Sequence, residues 1–203
     1  MATKAFTDFR ERADPYDLRL PPPRATGGAY LYLDFDGVLH HEDVYMDMMG
    51  VIYFGQEAKS TGREHRLFQH APILIDALEP YPFVEIVLST TWSRALGYKE
   101  AKSYLPPALA KRVVGATFHR KMDEHTFANM PRGEQILMDA KRRAPKAWVA
   151  VDDMVEDWPQ EATDNLVASN PDRGISSLAV QSRLVEAFHT HFGGVKAEMR
   201  RTI

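Results

Sequence analysis

Three short apolar runs in this chain each stop dead at a polar residue, and that pattern limits the available folds more than any other feature. Ala29 to Leu33 ends at Asp34, Phe83 to Leu88 at Ser89, and Trp148 to Val151 at Asp152. Runs this short, rich in β-branched and apolar residues, read as buried strands. Leu67, Ala71, Leu74 and Leu78 recur at near-helical spacing ahead of Pro80 to Pro82, which places a helix between the first two strands. Gly133 to Arg143 reads as a second helix, with Ile136, Leu137 and Ala140 on one side. Leu166 to Ser169 reads as a further strand, and a helix is expected from about Ser177 with Leu184, Val185, Phe188 and Phe192 on its inner face. No internal repeat is visible. Alternation of this kind predicts an α/β fold, a three-layer sandwich with a mostly parallel central sheet. Ligands of such sheets bind beyond the carboxyl ends of the strands, so the polar residues that stop the runs mark the expected site.

The chain has 203 residues, 44% of them apolar and 26% charged, which suits one domain with its own core. Residues 1–28, closing on Pro21, Pro22, Pro23 and then Gly27 and Gly28, read as an N-terminal arm and linker, and residues 29–203 as the folded domain. The absence of cysteine excludes disulfides, thiolate metal sites and a cysteine nucleophile, so a metal must be held by oxygen or imidazole. The opening residues mix Lys4, Asp8, Arg10, Glu11 and Arg12 without an apolar stretch, unlike a signal peptide, and no run approaches the length of a membrane span. A cytoplasmic location is the expectation. A net charge of −3 does not call for a polyanionic partner, although residues 111 to 146 hold nine Lys or Arg against four Asp or Glu. Solvated helix faces and a binding surface are both open readings of that stretch.

The run Asp34-Phe35-Asp36-Gly37-Val38-Leu39 places two carboxylates two residues apart just past a strand, with a glycine that permits a tight reversal. One aspartate can attack phosphorus and form an aspartyl phosphate, and the other can protonate the leaving oxygen and later deprotonate water. An Asx-type turn with solvated acids is the alternative. Phosphoryl chemistry needs its negative charge neutralised, and Mg²⁺ does this with a few carboxylates and waters. Asp152 and Asp153 fit that need: adjacent acids at a strand end repel each other without a cation. Asp153 is expected as the direct ligand and Asp152 as its support. Ser89 and Thr90 are placed to hydrogen-bond a phosphoryl oxygen, and Arg132, ahead of the helix leading to the third strand, is the candidate phosphate-binding cation, with Lys121 as the other possibility.

These residues, in this order, resemble the four motifs of the haloacid dehalogenase (HAD) superfamily over about residues 29 to 155. The resemblance implies a Rossmann-like core and an aspartyl-phosphate intermediate. It also implies Mg²⁺ bound by Asp34, the backbone carbonyl of Asp36 and an acid of the pair Asp152-Asp153, which would make residues 29–203 a HAD-like catalytic domain. The runs Gly37-Val38-Leu39-His40, Leu88-Ser89-Thr90-Thr91-Trp92, Val113-Val114-Gly115-Ala116-Thr117 and Ala150-Val151-Asp152-Asp153 are most similar to the HAD domain of Swiss Army Knife RNA repair proteins. One departure is that Ser93 stands immediately after Trp92, where that resemblance leads one to expect an arginine, and Arg94 follows.

The stretch from Val38 to Pro82 leaves room for a small flap and no large cap domain. An open site of that kind can accept a phosphorylated substrate as large as an RNA or DNA end, whose backbone the basic stretch from Lys111 to Lys146 could hold. A small-metabolite phosphatase, a phosphotransferase, a phosphonatase and a catalytically idle HAD-like module that binds nucleic acid or a protein are the alternatives. His40 and His41 read mainly as solvent-facing loop residues, with contact to a substrate or a second metal as the alternative, Trp92 as packing, with stacking on a base as the alternative, and Met46, Met48 and Met49 as gap fillers or part of the flap.

Overall fold

The computed structural model describes residues 20–201, so most of the arm expected over residues 1–28 lies outside the described residues. Strand β1 (Ala29–Leu33) is buried along its whole length. It pairs in parallel with β4 (Val84–Leu88) on one side and β6 (Ala147–Asp152) on the other. Strand β5 (Val113–Ala116) lies outside β4 and β7 (Leu166–Ala168) outside β6, giving the order β5-β4-β1-β6-β7 with every pair parallel. The chain builds one half of the sheet outward from β1, then crosses over to build the other half. The reversal falls between β1 and β6, which is where open α/β sheets bind ligands. Register then decides what meets there. Leu33 stands opposite both Leu88 and Val151, so Asp34, Ser89 and Asp152 form a row one position further on.

The period-2 geometry of a strand sends alternate residues to opposite faces. Leu31 and Leu33 belong to a core shared with Leu74 and Leu78 of α2 (Ala71–Leu78) and with Leu184, Phe188 and Phe192 of α8 (Leu178–Arg201). Tyr30 and Tyr32 face the other way, against Ile136 and Ala140 of α7 (Arg132–Arg143). The second face carries a buried polar group. The Tyr32 hydroxyl donates to Asp139 Oδ2 at 3.1 Å, Arg143 Nε donates to the same oxygen at 2.6 Å, and Arg143 Nη1 reaches the Ala25 carbonyl at 3.1 Å. Burial lifts the Tyr32 hydroxyl well above its usual pKa, so it stays a donor. This network ties the segment before β1 to the end of α7.

Several expectations need adjustment. Val185 is 60% exposed, not on the inner face, because the buried residues Val180, Leu184, Phe188 and Phe192 recur every fourth position and Val185 falls over a quarter of a turn beyond Leu184. Leu67 lies in the turn ahead of α2 instead of in its first helical turn. Strand β5 is not foreseen by the run pattern, since four residues that include Gly115 are too few to stand out. The three expected helices are present, the short helices Tyr98–Ser103, Pro107–Ala110 and Glu124–Ala128 are not foreseen, and the segment between β1 and α2 is a hairpin, β2 (Val44–Met46) with β3 (Ile52–Phe54), followed by α1 (Gln56–Ser60). Among the described residues no helix is long and apolar enough to cross a membrane.

The helix-face assignment is testable by urea denaturation. Phe188→Ala should cost about 3–5 kcal/mol by opening a cavity between α8 and the sheet. Val185→Ala should stay within about 0.5 kcal/mol of the parent. Equal losses would mean that α8 presents a different face.

Candidate active site

The loop after β1 is built to hold its shape. The Phe35 carbonyl accepts the N–H groups of Val38 and Leu39 at 3.2 and 2.8 Å. Other segments then pin the carbonyls of Gly37, Val38 and Leu39: Ser169 Oγ donates to Gly37 O at 2.7 Å, Ile175 N to Val38 O at 3.0 Å and His70 N to Leu39 O at 2.9 Å. Gly37 sits at φ +63°, and a Cβ there would overlap the Asp153 carboxylate. Glycine therefore serves twice at this position, turning the chain and making room for the acid from β6.

Asp34, Asp152 and Asp153 each offer a carboxylate oxygen within 4.8 Å of the others, with Asp34 and Asp152 buried. Arg132, buried at the N-terminus of α7, is placed between two of them. Its Nη2 is 3.4 Å from Asp34 Oδ2, and its Nε lies 3.3 Å from Asp152 Oδ2 at an angle that makes an ion pair without a hydrogen bond. Burial works against the Arg132 charge, but the surrounding carboxylates more than offset it and hold it protonated. The acids are not fully compensated. Burial raises the Asp34 pKa, with the Arg132 charge opposing; burial and then the Asp34 charge raise Asp152 well above the usual range; burial and the Asp34 charge lift Asp153 to about 7.

That imbalance is the test of whether a metal fits. Three carboxylates face one guanidinium, so full ionisation leaves an excess of two negative charges, which a divalent cation would neutralise. The donors are all oxygens, the preference of a hard ion such as Mg²⁺. Two further predicted residues join this group: Ser89 Oγ is 3.5 Å from Asp152 Oδ2, and the Thr90 hydroxyl hydrogen-bonds the Asp34 carboxylate. A recess of about 380 Å³ opens beside Arg132, lined also by Thr90, Thr91, Arg94 and Gln135.

Asp36 stands apart from the other acids. It is close enough for its charge to act on Asp34, yet its carboxylate is not part of the three-acid cluster. It turns instead toward Trp92, whose Nε1 donates to Oδ1 and Oδ2 at 3.0 and 2.9 Å, and toward His40, whose Nε2 is 3.0 Å from Oδ1. Two N–H donors on one side account for the turn, and leave only the Asp36 backbone carbonyl for a metal. Asp36 and Trp92 line a second recess of about 150 Å³ with Tyr45, Met46, Ile52 and Leu96.

Lys121 is exposed and lines neither recess, so of the two candidate cations only Arg132 reaches the acids. The basic stretch is not a continuous surface. Arg112 donates to the carbonyls of Leu78, Tyr81 and Val84, Arg142 to Pro21, Arg143 pairs with Asp139, and Lys146 with Glu198. His40 and His41 are buried, contrary to their reading as solvent-facing, because Val38 and Leu39 before them enter the core and draw the chain inward. Trp92 packs, as expected, and also donates to Asp36, which no spacing in the sequence reveals. Arg94 pairs with Glu124 at 3.1 Å at the rim.

Residues 30–180 match the family described as the HAD domain in Swiss Army Knife RNA repair proteins. Nothing matches among curated proteins or among solved structures.

The acid cluster predicts a coupled effect of pH and cation on stability. A carboxyl near pKa 7 in the fold and about 3.9 in the unfolded chain keeps its proton after the unfolded chain has lost it. Stability of the metal-free protein should then fall as pH rises from about 4 to about 7. Mg²⁺ should raise the thermal midpoint more at pH 8 than at pH 5, and Asp153→Asn should flatten the metal-free profile. A midpoint shift that is the same at both pH values would show that the cation does not engage these acids.

Proposed function

Since this chain belongs to the family of HAD domains in Swiss Army Knife RNA repair proteins, we propose that it is a Mg²⁺-dependent phosphohydrolase working through an aspartyl phosphate on Asp34. The observation that carries the proposal is the convergence of Asp34, Arg132, Asp152 and Asp153 at one sheet end, with Asp36 beside them on the wall of a separate recess. Asp34 attacks phosphorus while Arg132, Ser89 and Thr90 hold the phosphoryl oxygens. Arg132 is well placed for this, because its contact with Asp34 is long enough for a phosphate oxygen to take over. Asp36 protonates the leaving oxygen, then takes a proton from the water that hydrolyses the intermediate, so the ester and water become alcohol and phosphate with Asp34 restored. Asp34, Asp153 and the Asp36 carbonyl, with Asp152 in support, would hold Mg²⁺, which would supply positive charge against the phosphoryl group and the nucleophile.

The substrate we propose is a phosphorylated end of RNA or DNA. The flap is a hairpin in place of a cap domain, which leaves the mouth open to a long molecule. That hairpin exposes Tyr45, Met46, Met48, Met49, Val51 and Tyr53, with the Tyr45 and Tyr53 rings stacked 6.0 Å apart. Exposed aromatic surface beside the leaving-group recess is suited to stacking bases. Because Arg112, Arg142, Arg143 and Lys146 of the basic stretch are engaged within the chain, the salt dependence should be shallow. The 150 Å³ recess beside Asp36 favours one second reading, a phosphatase of small metabolites whose leaving group it would enclose.

Phosphate release in Mg²⁺ decides both points in one assay. Asp34→Asn should lose it by at least about 10³-fold with the fold retained, because an amide does not replace the nucleophile. Wild-type turnover by this variant would refute the mechanism. The kcat/KM for a 3′-phosphorylated oligonucleotide should exceed that for a mononucleotide and decline as salt rises. Equal values without salt dependence would favour the small-metabolite reading.

A further inference from the structure

Asp36 is held more firmly than a carboxylate with a side chain 24% exposed to water needs to be. Its Oδ1 receives both the Trp92 indole N–H and His40 Nε2, whereas Oδ2 receives only the shared indole N–H. Which His40 nitrogen carries the proton follows from its other side. Nδ1 lies 3.2 Å from the Phe68 backbone nitrogen and accepts that N–H, so the hydrogen is on Nε2 and points at Asp36. The ring itself is wholly buried, edge-on to Phe68 at 4.9 Å and against Trp92 at 5.9 Å and Phe54 at 6.2 Å. Trp92 is fixed in turn by edge contacts with Phe35, Phe68 and Tyr104.

The two donors come from different parts of the fold. His40 is on the loop after β1, and Trp92 opens α3 (Trp92–Ala95) after β4, with Phe54 joining from the flap. A structural need alone would be met by any acceptor for the buried indole N–H. What the arrangement adds is direction. It holds Asp36 on the wall of the recess lined by Tyr45, Met46 and Leu96 and outside the three-acid cluster, and it leaves Oδ2 as the less occupied oxygen. We infer that Trp92 and His40 are positioning residues for Asp36: they fix its carboxyl group so that Oδ2 exchanges the proton with the leaving oxygen in the recess. The inference rests on the phosphohydrolase reading. In that role neither side chain touches substrate; each acts through Asp36. Proton transfer is sensitive to such placement, since the donor must lie within hydrogen-bond reach of the departing oxygen.

The test measures single-turnover release of the leaving group in Mg²⁺ for esters of graded leaving ability, from p-nitrophenyl phosphate to an alkyl phosphate. Trp92→Phe keeps an aromatic ring in the box and removes the N–H; His40→Leu removes the second donor; His40→Gln restores an N–H toward Asp36 and an acceptor toward Phe68. For Trp92→Phe and His40→Leu the alkyl ester should slow by about tenfold or more, and p-nitrophenyl phosphate by less than about threefold, with little change in KM. His40→Gln should recover most of the alkyl ester rate. Thermal midpoints identify any variant that has lost its fold, and the Leu and Gln variants at position 40 then carry the comparison. Equal slowing on every ester, a loss confined to KM, or no recovery by Gln would overturn the positioning role while leaving the phosphohydrolase reading intact. A wild-type protein that hydrolyses none of the esters would overturn both.

Discussion

Three carboxylates confined at the end of a buried sheet around a single guanidinium is the constraint on which the rest of this structure depends. Burial leaves Asp34 and Asp152 little water to solvate their charge, and Arg132 offsets only part of it. Such a cluster is tolerable only because the parallel register brings a counter-charge and hydroxyls to the same row and because protons or a cation can supply the remainder. Gly37 completes the condition by leaving space for Asp153. The fold therefore holds at one point an electrostatic debt that a phosphate ester with a divalent cation would settle.

Asp36 is treated differently by the same loop. Two residues past Asp34, it escapes the acid cluster by turning to N–H donors from Trp92 and His40. The separation of environments separates the chemistry: one carboxylate is set among charges that suit a nucleophile and metal ligand, the other faces an apolar recess where a leaving group can be protonated. The hairpin above that recess supplies its walls and presents aromatic and methionine side chains to the mouth. On the proposed reading, substrate choice falls to the flap and the reaction to the sheet end.

How much of this was visible in the sequence follows from the range of each contact. Asp34, Ser89 and Asp152 could be found because a buried strand that stops at a polar residue announces its own end, and parallel pairing then aligns the ends. The flap could be found by subtraction of chain length. The orientation of His40 could not, because the contact on its Nδ1 comes from a backbone N–H twenty-eight residues away, at Phe68. The Trp92 hydrogen bond to Asp36 crosses fifty-six positions and leaves no periodic trace. The basic stretch left two readings open for a related reason: sequence counts charges but does not show whether each has a partner within the chain. Arg143 and Asp139, four apart on one helix, could have been read as a pair, whereas the carbonyl partners of Arg112 could not.

The claim that most needs a direct measurement is the covalent role of Asp34. Asp36→Asn removes the group that activates water, so the phosphoryl group should accumulate on the enzyme when this variant meets an activated ester in Mg²⁺. Acid quenching within the first turnover, digestion and mass spectrometry should find the phosphoryl group on the peptide containing Asp34, with the amount matching the leaving group released. Release of the leaving group with no phosphorylated Asp34, or with the phosphoryl group on another residue, would contradict the account.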